Sequence, residues 1–385
     1  MNELDRVPLL DVNRDNAPHR EAFIEALTEV VDSGRFLFGP AVAELERAVA
    51  THTQADNAVG CASGSDALLL ALMALGIGPG DEVIVPSFTF FATVSCVTRL
   101  GATPVFVDIR GDTFNMDVDA MEAALTSRTR AVIPVHLFGQ CAEIDRIVQI
   151  AGQRDVAVVE DAAQAIGAAY RSRPAGAWGR VGCFSFYPTK NLGGMGDGGM
   201  LTSTDAAMAD QLRLYAGHGM RPRYYHRVVG INSRLDTFQA AVLNVKMRSL
   251  DDTVRRRQAI AARYDRLLTD TGVVGDDAVK IPHRDPDAFH VWNQYALRVG
   301  GGRRDALREH LGNQGVASEI YYPIPVHRQE CYAGLPEPRH SLRETDAACG
   351  EVLNLPIFPS LSEDQQHRVV DAVGSFFAGA ARAAA

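Results

Sequence analysis

Cysteine is scarce in this sequence, and no two cysteines have the spacing of a metal site or a redox pair. Six cysteines are spread over 385 residues without a C-x-x-C pair. Many zinc sites and thioredoxin-like dithiols are built from such pairs, so neither is predicted and no metal site is expected. Isolated cysteines of this kind are typical of reduced thiols in a cytoplasmic protein.

A long apolar run and an excess of basic residues are also missing. The N-terminus has no basic stretch followed by an apolar one, and no later segment is apolar enough to span a membrane. The 38 Lys and Arg against 47 Asp and Glu give a net charge of -9. General binders of nucleic acid or membrane surfaces carry the opposite charge, so we expect a soluble cytoplasmic protein that binds neither.

The residues that are present have the composition of an ordinary globular protein, with 46% hydrophobic and 22% charged residues. An apolar run at 57–62 begins an alternation of short strands and helices. Strands are predicted at 82–86, 104–108, 131–135 and 156–159, and helices at 67–75, 90–100 and 144–153. Short strands without in/out alternation, separated by helices, predict an α/β fold whose mostly parallel sheet has helices on both faces.

The pattern changes near residue 250, which divides the predicted domains. Helical spacing continues from 234 to 264, a segment rich in Gly, Asp and Pro follows at 271–287, and strand and helix signals then alternate to the C-terminus. A chain of 385 residues is long enough for two domains. We predict a large domain at 1–250, which includes an N-terminal helical segment, and a smaller α+β domain at 251–385.

The stretch 183–200, C-F-S-F-Y-P-T-K-N-L-G-G-M-G-D-G-G-M, places one lysine, Lys190, between an apolar run and a glycine-rich loop. Burial lowers the pKa of a lysine, and a deprotonated amine can condense with a carbonyl. The stretch therefore predicts either a Schiff-base lysine or an ordinary loop lysine.

Three glycines of the same stretch, Gly194, Gly196 and Gly199, match the dinucleotide-binding pattern G-x-G-x-x-G. That pattern requires a helix after it, whereas Met200 begins a run that predicts a strand. We therefore interpret the glycines as a hairpin or turn and reject the dinucleotide site.

Other residues suit the groups of pyridoxal phosphate. Asp161 follows an apolar strand, where a carboxylate can pair with the ring nitrogen, or can cap a following helix. Ser63-Gly64-Ser65 opens a predicted helix, whose N-terminus can bind phosphate, although a serine there is also a common helix cap. Ser185 precedes the lysine and can reach the phosphate, or can be a core hydroxyl.

In order along the chain, long motifs closely resemble the DegT/StrS family of pyridoxal-phosphate-dependent aminotransferases, which act on nucleotide-linked keto sugars. They include S-G-S-D-A-L, V-E-D-A-A-Q-A-I-G-A, F-S-F-Y-P-T-K-N-L-G-G-M-G-D-G-G, G-I-N-S-R-L-D-T-F-Q-A-A-V-L and Y-Y-P-I-P-V-H. The resemblance implies fold type I and a homodimer with shared active sites. It places Phe90 against the cofactor ring and Gln164 at the ring hydroxyl, and Asn232 at the phosphate of the partner's cofactor. From the residues alone, Phe90 can equally be helix core and Asn232 a turn residue.

The resemblance also implies an activity. L-Glutamate donates an amino group, which passes through the pyridoxamine form of the cofactor to a nucleotide-diphosphate keto sugar in a ping-pong reaction. Lys190 is then the cofactor lysine and proton carrier, and its presence argues against the dehydratase branch, which has histidine there. Candidate substrate contacts are Phe36 in the loop 34–39, Arg227, Tyr321 and His327.

Two other functions remain open alongside this one. The first is a non-catalytic regulatory protein on the same fold. The second is a type I aminotransferase for free amino acids, which needs a guanidinium fork for an α-carboxylate.

Overall fold

The computed structural model describes residues 6–276 and 278–384, which form two main sheets packed with helices. The strands are β1 (Asn57–Cys61), β2 (Glu82–Pro86), β3 (Thr103–Val107), β4 (Thr129–Val132), β5 (Ala157–Asp161), β6 (Ala169–Tyr170), β7 (Arg173–Pro174), β8 (Val181–Ser185), β9 (Gly199–Ser203), β10 (Val279–Lys280), β11 (Ala288–Phe289), β12 (Tyr295–Val299) and β13 (Val352–Leu355).

Helices connect and cover these strands. They are α1 (Val12–Asn16), α2 (Arg20–Ser33), α3 (Pro40–Thr53), α4 (Gly64–Ala74), α5 (Ala92–Arg99), α6 (Val118–Ala123), α7 (Ile144–Gly152), α8 (Ala206–Ala216), α9 (Thr237–Met247), α10 (Leu250–Asp270), α11 (Arg304–Asn313), α12 (Arg343–Glu351) and α13 (Glu363–Ala384). Short 3₁₀ helices lie at Ala17–His19, Leu137–Gly139, Val326–Arg328 and Glu330–Tyr332.

The large sheet has the strand order β1-β9-β8-β5-β4-β2-β3. All pairs from β3 to β8 are parallel, and only β9 runs against its neighbours. Alternate residues of β2 belong to different buried clusters, Ile84 to one and Val83 and Val85 to the other. Because successive side chains of a strand point to opposite faces, both faces of this sheet are covered. The predicted mostly parallel α/β sheet is confirmed.

Two of the shifts in predicted boundaries have a clear physical reason. The strand predicted at 131–135 is β4, which ends at Val132, and Val135 forms only an isolated bridge to Asp161. Pro134 has no N–H to donate to a neighbouring strand, which interrupts regular pairing there. Helix α4 begins at Gly64, before the predicted 67, because the Ser63 hydroxyl accepts the N–H of Asp66 at 3.1 Å and caps the helix.

The smaller sheet, β10-β12-β13, is antiparallel and lies with α10, α11 and α13 around a third buried cluster. Tyr264 and Tyr295 pack there with ring centroids 5.0 Å apart, and Val7 from the N-terminal segment joins the same cluster. The predicted domain boundary at 250 coincides with the first residue of α10. The start of that helix packs on the large sheet and its later turns pack in the third cluster, so the boundary stays a prediction. None of the helices in the described ranges is long and apolar enough to cross a bilayer.

Candidate active site

The loop 186–198 between β8 and β9 carries Lys190. The two strands pair antiparallel, with Ser185 opposite Gly199, so the hairpin interpretation of the glycine-rich stretch is confirmed. The loop closes tightly: a Cβ on Gly193 would lie 2.3 Å from the Pro188 carbonyl oxygen, so only glycine fits. The backbone N–H of Lys190 donates to the Tyr187 carbonyl at 2.9 Å, which holds the loop backbone at Lys190 close to the end of β8.

A cavity of about 560 Å³ opens at the ends of β5 and β8, beside the first turn of α4. It gathers most of the cofactor residues predicted from the sequence, which come from segments more than a hundred positions apart. These are Ser63, Gly64, Ser65, Phe90, Asp161, Gln164, Ser185 and Lys190. The carboxyl ends of parallel strands are where ligands of such sheets bind.

The Lys190 amine lies in this cavity, largely out of solvent. Burial lowers the pKa of Lys190 to about 8, and the nearby Asp161 carboxylate acts in the opposite direction. An ordinary lysine is almost wholly protonated at neutral pH, whereas a pKa near 8 leaves about a tenth of the amine neutral at pH 7. The amine is therefore available as a nucleophile and as a proton carrier.

Asp161 ends β5 and its carboxylate is almost completely buried, with 5% exposure. Oδ2 accepts the Thr93 hydroxyl at 2.8 Å and Oδ1 accepts the Ala163 N–H at 3.2 Å. Burial raises the pKa of Asp161, and the Thr93 hydrogen bond lowers it. No helix begins in the fully described stretch between β5 and β6, so the helix-cap alternative is wrong.

The first turn of α4 faces Ser185 across a very short distance. A Cβ on Gly64 would lie 2.7 Å from the Ser185 Cβ, so glycine is required for this approach. Ser63 is the helix cap, as one alternative predicted, and its hydroxyl is used within the helix. The first-turn N–H groups of Gly64 and Ser65 have no carbonyl of their own helix to donate to, and the helix dipole makes this end positive. The Ser185 hydroxyl lies beside them, half-buried in the cavity wall.

Phe90 and Gln164 form part of the cavity wall. Phe90 is 56% exposed and precedes α5, so the helix-core alternative is wrong. Its ring centroid lies 6.1 Å from that of Tyr322. The Gln164 Oε1 accepts the Phe138 N–H at 2.6 Å, which leaves the amide Nε2 to donate to the Tyr322 hydroxyl at 3.4 Å. Gln164 therefore presents a donor to the cavity.

Sequence reasoning missed several residues of the cavity wall. Thr89 and Tyr322 both line it, and Thr93 lies directly behind Asp161. Tyr322 adjoins Tyr321, which was predicted as a substrate contact and does line the cavity. The neighbouring position in the Y-Y-P-I-P-V-H motif was the available signal for Tyr322.

Four predicted residues do not line the cavity. Asn232 is exposed and forms an isolated bridge to Gly217, and Arg227 is exposed in the preceding loop. The side chain of Arg227 donates to the Arg221 carbonyl at 2.8 Å, on the surface of the chain. Within one chain, neither residue reaches Lys190.

Phe36 and His327 are held by other contacts. Phe36 is 47% exposed and stacks on Phe238, with ring centroids 5.6 Å apart. The His327 Nδ1 lies 2.7 Å from the Ser87 hydroxyl, and burial lowers the pKa of this histidine. A direct substrate contact of either residue in this chain's own cavity is not supported by the geometry.

Comparison with known proteins gives the family. The DegT/DnrJ/EryC1/StrS aminotransferase family model matches residues 18–374. The chain belongs to this family. The resemblance predicted from the motifs is therefore confirmed, and with it the fold and the aminotransferase class.

Among the relatives, a pleiotropic regulatory protein of Geobacillus stearothermophilus is 45% identical over 96% of this chain and 98% of its own length. The dTDP-3-amino-3,4,6-trideoxy-α-D-glucose transaminase of Streptomyces venezuelae is 44% identical over 96% of each chain. The solved structure of S. venezuelae DesV in complex with a ketimine intermediate superposes with a TM-score of 0.91, at 44% identity, over 96% of this chain and 98% of DesV.

DegT/DnrJ/EryC1/StrS aminotransferases depend on pyridoxal phosphate, and solved relatives hold its pyridoxal or pyridoxamine form. The cavity fits this cofactor by its chemistry. It has an amine of lowered pKa for the aldehyde and a buried carboxylate for the ring nitrogen. It also has a helix N-terminus, with a required glycine, for the phosphate.

Proposed function

We propose that this chain is an aminotransferase that moves an amino group from L-glutamate to a keto sugar carried on a nucleoside diphosphate. The observation that carries the proposal is one cavity that holds the Lys190 amine, the Asp161 carboxylate and the first turn of α4. The S. venezuelae transaminase, which matches nearly the whole chain, acts on a dTDP-linked sugar and supports the class of acceptor.

When bound, pyridoxal phosphate supplies an aldehyde that takes up an amino group and a ring that withdraws electrons from the reacting carbon. The Lys190 amine holds the cofactor covalently between turnovers and carries a proton on Nζ during the reaction. The Asp161 carboxylate holds a proton on the ring nitrogen. The N–H groups of Gly64 and Ser65, with the Ser185 hydroxyl, bind the phosphate, and Phe90 packs against the ring.

Because burial lowers the pKa of Lys190 to about 8, its Nζ can both accept and release a proton near neutral pH. Because the Phe138 N–H occupies Oε1 of Gln164, this side chain can donate to the cofactor only through Nε2, which has a second hydrogen besides the one directed at Tyr322, and it would favour an anionic oxygen on the ring. The products of one full cycle are an amino sugar and the 2-oxo acid of the donor, so no oxidant is consumed.

The second part of the proposal is a homodimer in which each site uses residues of both chains. Among the described residues that line the cavity there is no arginine, although a diphosphate and the carboxylates of glutamate both call for cations. Arg227 and Asn232 lie outside the cavity of their own chain. They are therefore available to a partner's site.

Exposed apolar side chains lie on the same loop as Arg227 and on a loop that adjoins the segment after Asn232. Phe38 is 69% exposed, Tyr224 74%, Tyr225 70% and Val229 91%. The loop that holds Phe38 contacts the segment after Asn232 through the bridge between Leu37 and Asp236. Large apolar groups clustered on two adjoining loops are typical of a protein contact surface.

Subunit mixing tests the shared site. Lys190→Ala and Asn232→Asp proteins should each be inactive, the second because a carboxylate repels the phosphate of the partner's cofactor. In a one-to-one mixture that has exchanged subunits, about a quarter of wild-type activity should return, since half the dimers are hybrid and each keeps one wild-type site. No recovery in hybrids confirmed by differential tags means that both residues serve one chain's site.

The activity itself is tested by colour. The purified protein should absorb as a yellow pyridoxal-phosphate enzyme, lose that band on addition of L-glutamate, and regain it with a nucleotide keto sugar. A panel of dTDP, UDP and GDP keto sugars identifies the acceptor. Recovery with free keto acids alone indicates an amino-acid aminotransferase instead.

A regulatory role on the same fold is the second candidate, because one relative is a pleiotropic regulatory protein. The Lys190 amine and the Asp161 carboxylate in one cavity favour catalysis, since a carboxylate at the ring nitrogen serves electron withdrawal and a binding-only protein has no need for it. A protein that binds pyridoxal phosphate yet keeps its band with every donor supports the regulatory role.

A further inference from the structure

A chain of two threonine hydroxyls leads from the cavity wall to the Asp161 carboxylate. The Thr93 Oγ1 lies 2.8 Å from Asp161 Oδ2, and the Thr89 Oγ1 lies 2.8 Å from the Thr93 Oγ1. Thr93 is fully buried and Thr89 has 2% exposure, so water does not compete for these bonds. Thr93 lies in the first turn of α5, and Thr89 lies four positions earlier in the segment that leads into this helix.

The direction of these hydrogen bonds follows from the count of hydrogens. An ionised carboxylate can only accept, so the single hydroxyl hydrogen of Thr93 is used on Asp161. The Thr89 hydroxyl must then donate to Thr93. While Asp161 is ionised, both hydroxyls are therefore aligned toward the carboxylate.

The remaining surroundings of the carboxylate explain why it needs these donors. The charged and titratable groups that face Asp161 are Lys190, His136, Tyr322, Cys96 and Cys183. None of them donates a hydrogen bond to the Asp161 side chain; the donors among the described residues are the Thr93 hydroxyl and the Ala163 N–H. A buried carboxylate with too few donors takes up a proton instead.

We propose that Thr93 is a positioning residue for Asp161, and that the Thr89–Thr93 pair keeps this carboxylate ionised and fixed in orientation for the ring nitrogen of the cofactor. The inference rests on the proposed function, because it assigns Asp161 to that nitrogen. Thr93 itself touches the carboxylate and does not line the cavity.

Thr93→Val tests the proposal, because it keeps the branched shape and removes only the hydroxyl. Loss of one hydrogen bond to a charged group should raise the pKa of Asp161 by roughly one to two pH units. A carboxylate that holds its own proton more tightly stabilises the protonated ring less, so the ring nitrogen should lose its proton at lower pH and the basic limb of the kcat profile should move to lower pH. Thr89→Val should move it in the same direction by less, since it acts only through Thr93.

The decisive measurement does not depend on turnover. The holoenzyme is reconstituted with ¹⁵N-labelled pyridoxal phosphate, and the ring-nitrogen resonance reports its protonation as pH is varied. In the wild type we expect a protonated ring at pH 7, and in Thr93→Val a transition shifted toward the neutral ring. Thr93→Ser, which restores a hydroxyl, should recover the wild-type titration.

Thr98→Val is the matched control. Thr98 lies on the same helix, and its hydroxyl donates to the Ser95 carbonyl at 3.2 Å, away from Asp161. This variant should leave the nitrogen titration unchanged, whatever it does to the melting temperature.

A Thr93→Val holoenzyme whose ring nitrogen titrates as in the wild type overturns the proposal, even if the variant is less stable or less active. A failure of Thr93→Ser to recover the titration also overturns it. The sugar specificity does not enter these measurements. A holoenzyme that forms but turns over no keto sugar contradicts the proposed function. The role of Thr93 is then still decided by the titration of the ring-nitrogen resonance.

Discussion

Gly64→Ala is the sharpest test of the phosphate-binding role of the first turn of α4, because it adds one methyl group and no charge. The added Cβ would lie 2.7 Å from the Ser185 Cβ and 3.2 Å from its Cα and Oγ. Ser185 is held in β8 by its pairing with Gly199 of β9. The contact can therefore be relieved only by moving the start of α4 or turning the Ser185 hydroxyl. Either movement displaces a proposed phosphate donor.

The size of the effect follows from two opposing terms. Forcing an extra methyl group into a packed contact costs about 1–3 kcal/mol. Alanine is a better helix former than glycine by up to about 1 kcal/mol, which offsets part of that cost. The net cost is then about 1–2 kcal/mol, and it falls on the cofactor-bound protein, where the first turn of α4 cannot move away. A loss of binding free energy of that size corresponds to a fivefold to thirtyfold rise in the Kd for pyridoxal phosphate.

The assay is a titration of cofactor-free protein with pyridoxal phosphate, followed by absorbance and by quenching of intrinsic fluorescence. Gly78→Ala is the matched control, because a Cβ there meets nothing within 4 Å and the residue follows the other end of the same helix. Melting temperatures of the cofactor-free proteins separate a general loss of stability from a loss of affinity.

The reasoning is refuted if Gly64→Ala binds pyridoxal phosphate as tightly as Gly78→Ala. Helix α4 then does not hold the phosphate, however close it lies to Lys190. A fall in the melting temperature of the cofactor-free protein, without a change in Kd, leads to the same conclusion.

Three further predictions concern single ionisable groups. Lys190→Ala should bind the cofactor only non-covalently. Borohydride should therefore attach the cofactor to the peptide that contains Lys190 in the wild type and to no peptide in the variant; label on another peptide contradicts the assignment. Because burial lowers the pKa of Lys190 to about 8, covalent capture of pyridoxal phosphate by cofactor-free protein should speed up with rising pH and level off above about pH 8; a rate still climbing toward pH 10 contradicts this. Glu82 is buried, and the hydrogen bonds that it accepts from Arg339, Thr126 and Arg128 lower its pKa to about 2. The ionised side chain therefore stabilises the folded state fully at pH values above the pKa of glutamate in the unfolded chain, and this stabilisation is lost as the pH falls toward 2. Glu82→Gln should therefore lower the free energy of unfolding by about 2 kcal/mol at pH 7, after allowance for the exposed arginines, and urea titrations should show the difference shrinking below pH 4; a difference independent of pH argues for packing instead.

The sequence by itself determined the sheet and the family, and it singled out Lys190 as the candidate cofactor lysine. Short apolar strands between helices predicted a mostly parallel sheet, because such strands must be covered on both faces. A strand after Gly199 excluded the dinucleotide site, because that site needs a helix there. These conclusions rest on neighbours in the chain, which a sequence displays directly.

Tertiary structure decided how the predicted residues meet. Ser63 and Lys190 are far apart in sequence, and only the strand order brings the start of α4 to the end of β8. The orientation of the Gln164 amide depends on one backbone N–H, that of Phe138, which no pattern around Gln164 reveals. Tyr322 lies in the segment before α12, and only the packing of that segment against the end of the large sheet makes it part of the cavity wall.

Asp161 and Thr93 show most clearly the difference between what the sequence predicts and what the tertiary structure decides. The carboxylate follows an apolar strand, so its place at a sheet edge could be predicted from the sequence. Thr93 looked like one more residue of a helix, and its bond to a carboxylate 68 positions away exists only because α5 packs against the end of β5. Asn232 differs in another way: its place outside its own chain's cavity became visible only when the cavity itself was assembled. A side chain's chemistry is set by what the fold packs against it, and that information is spread over the whole chain.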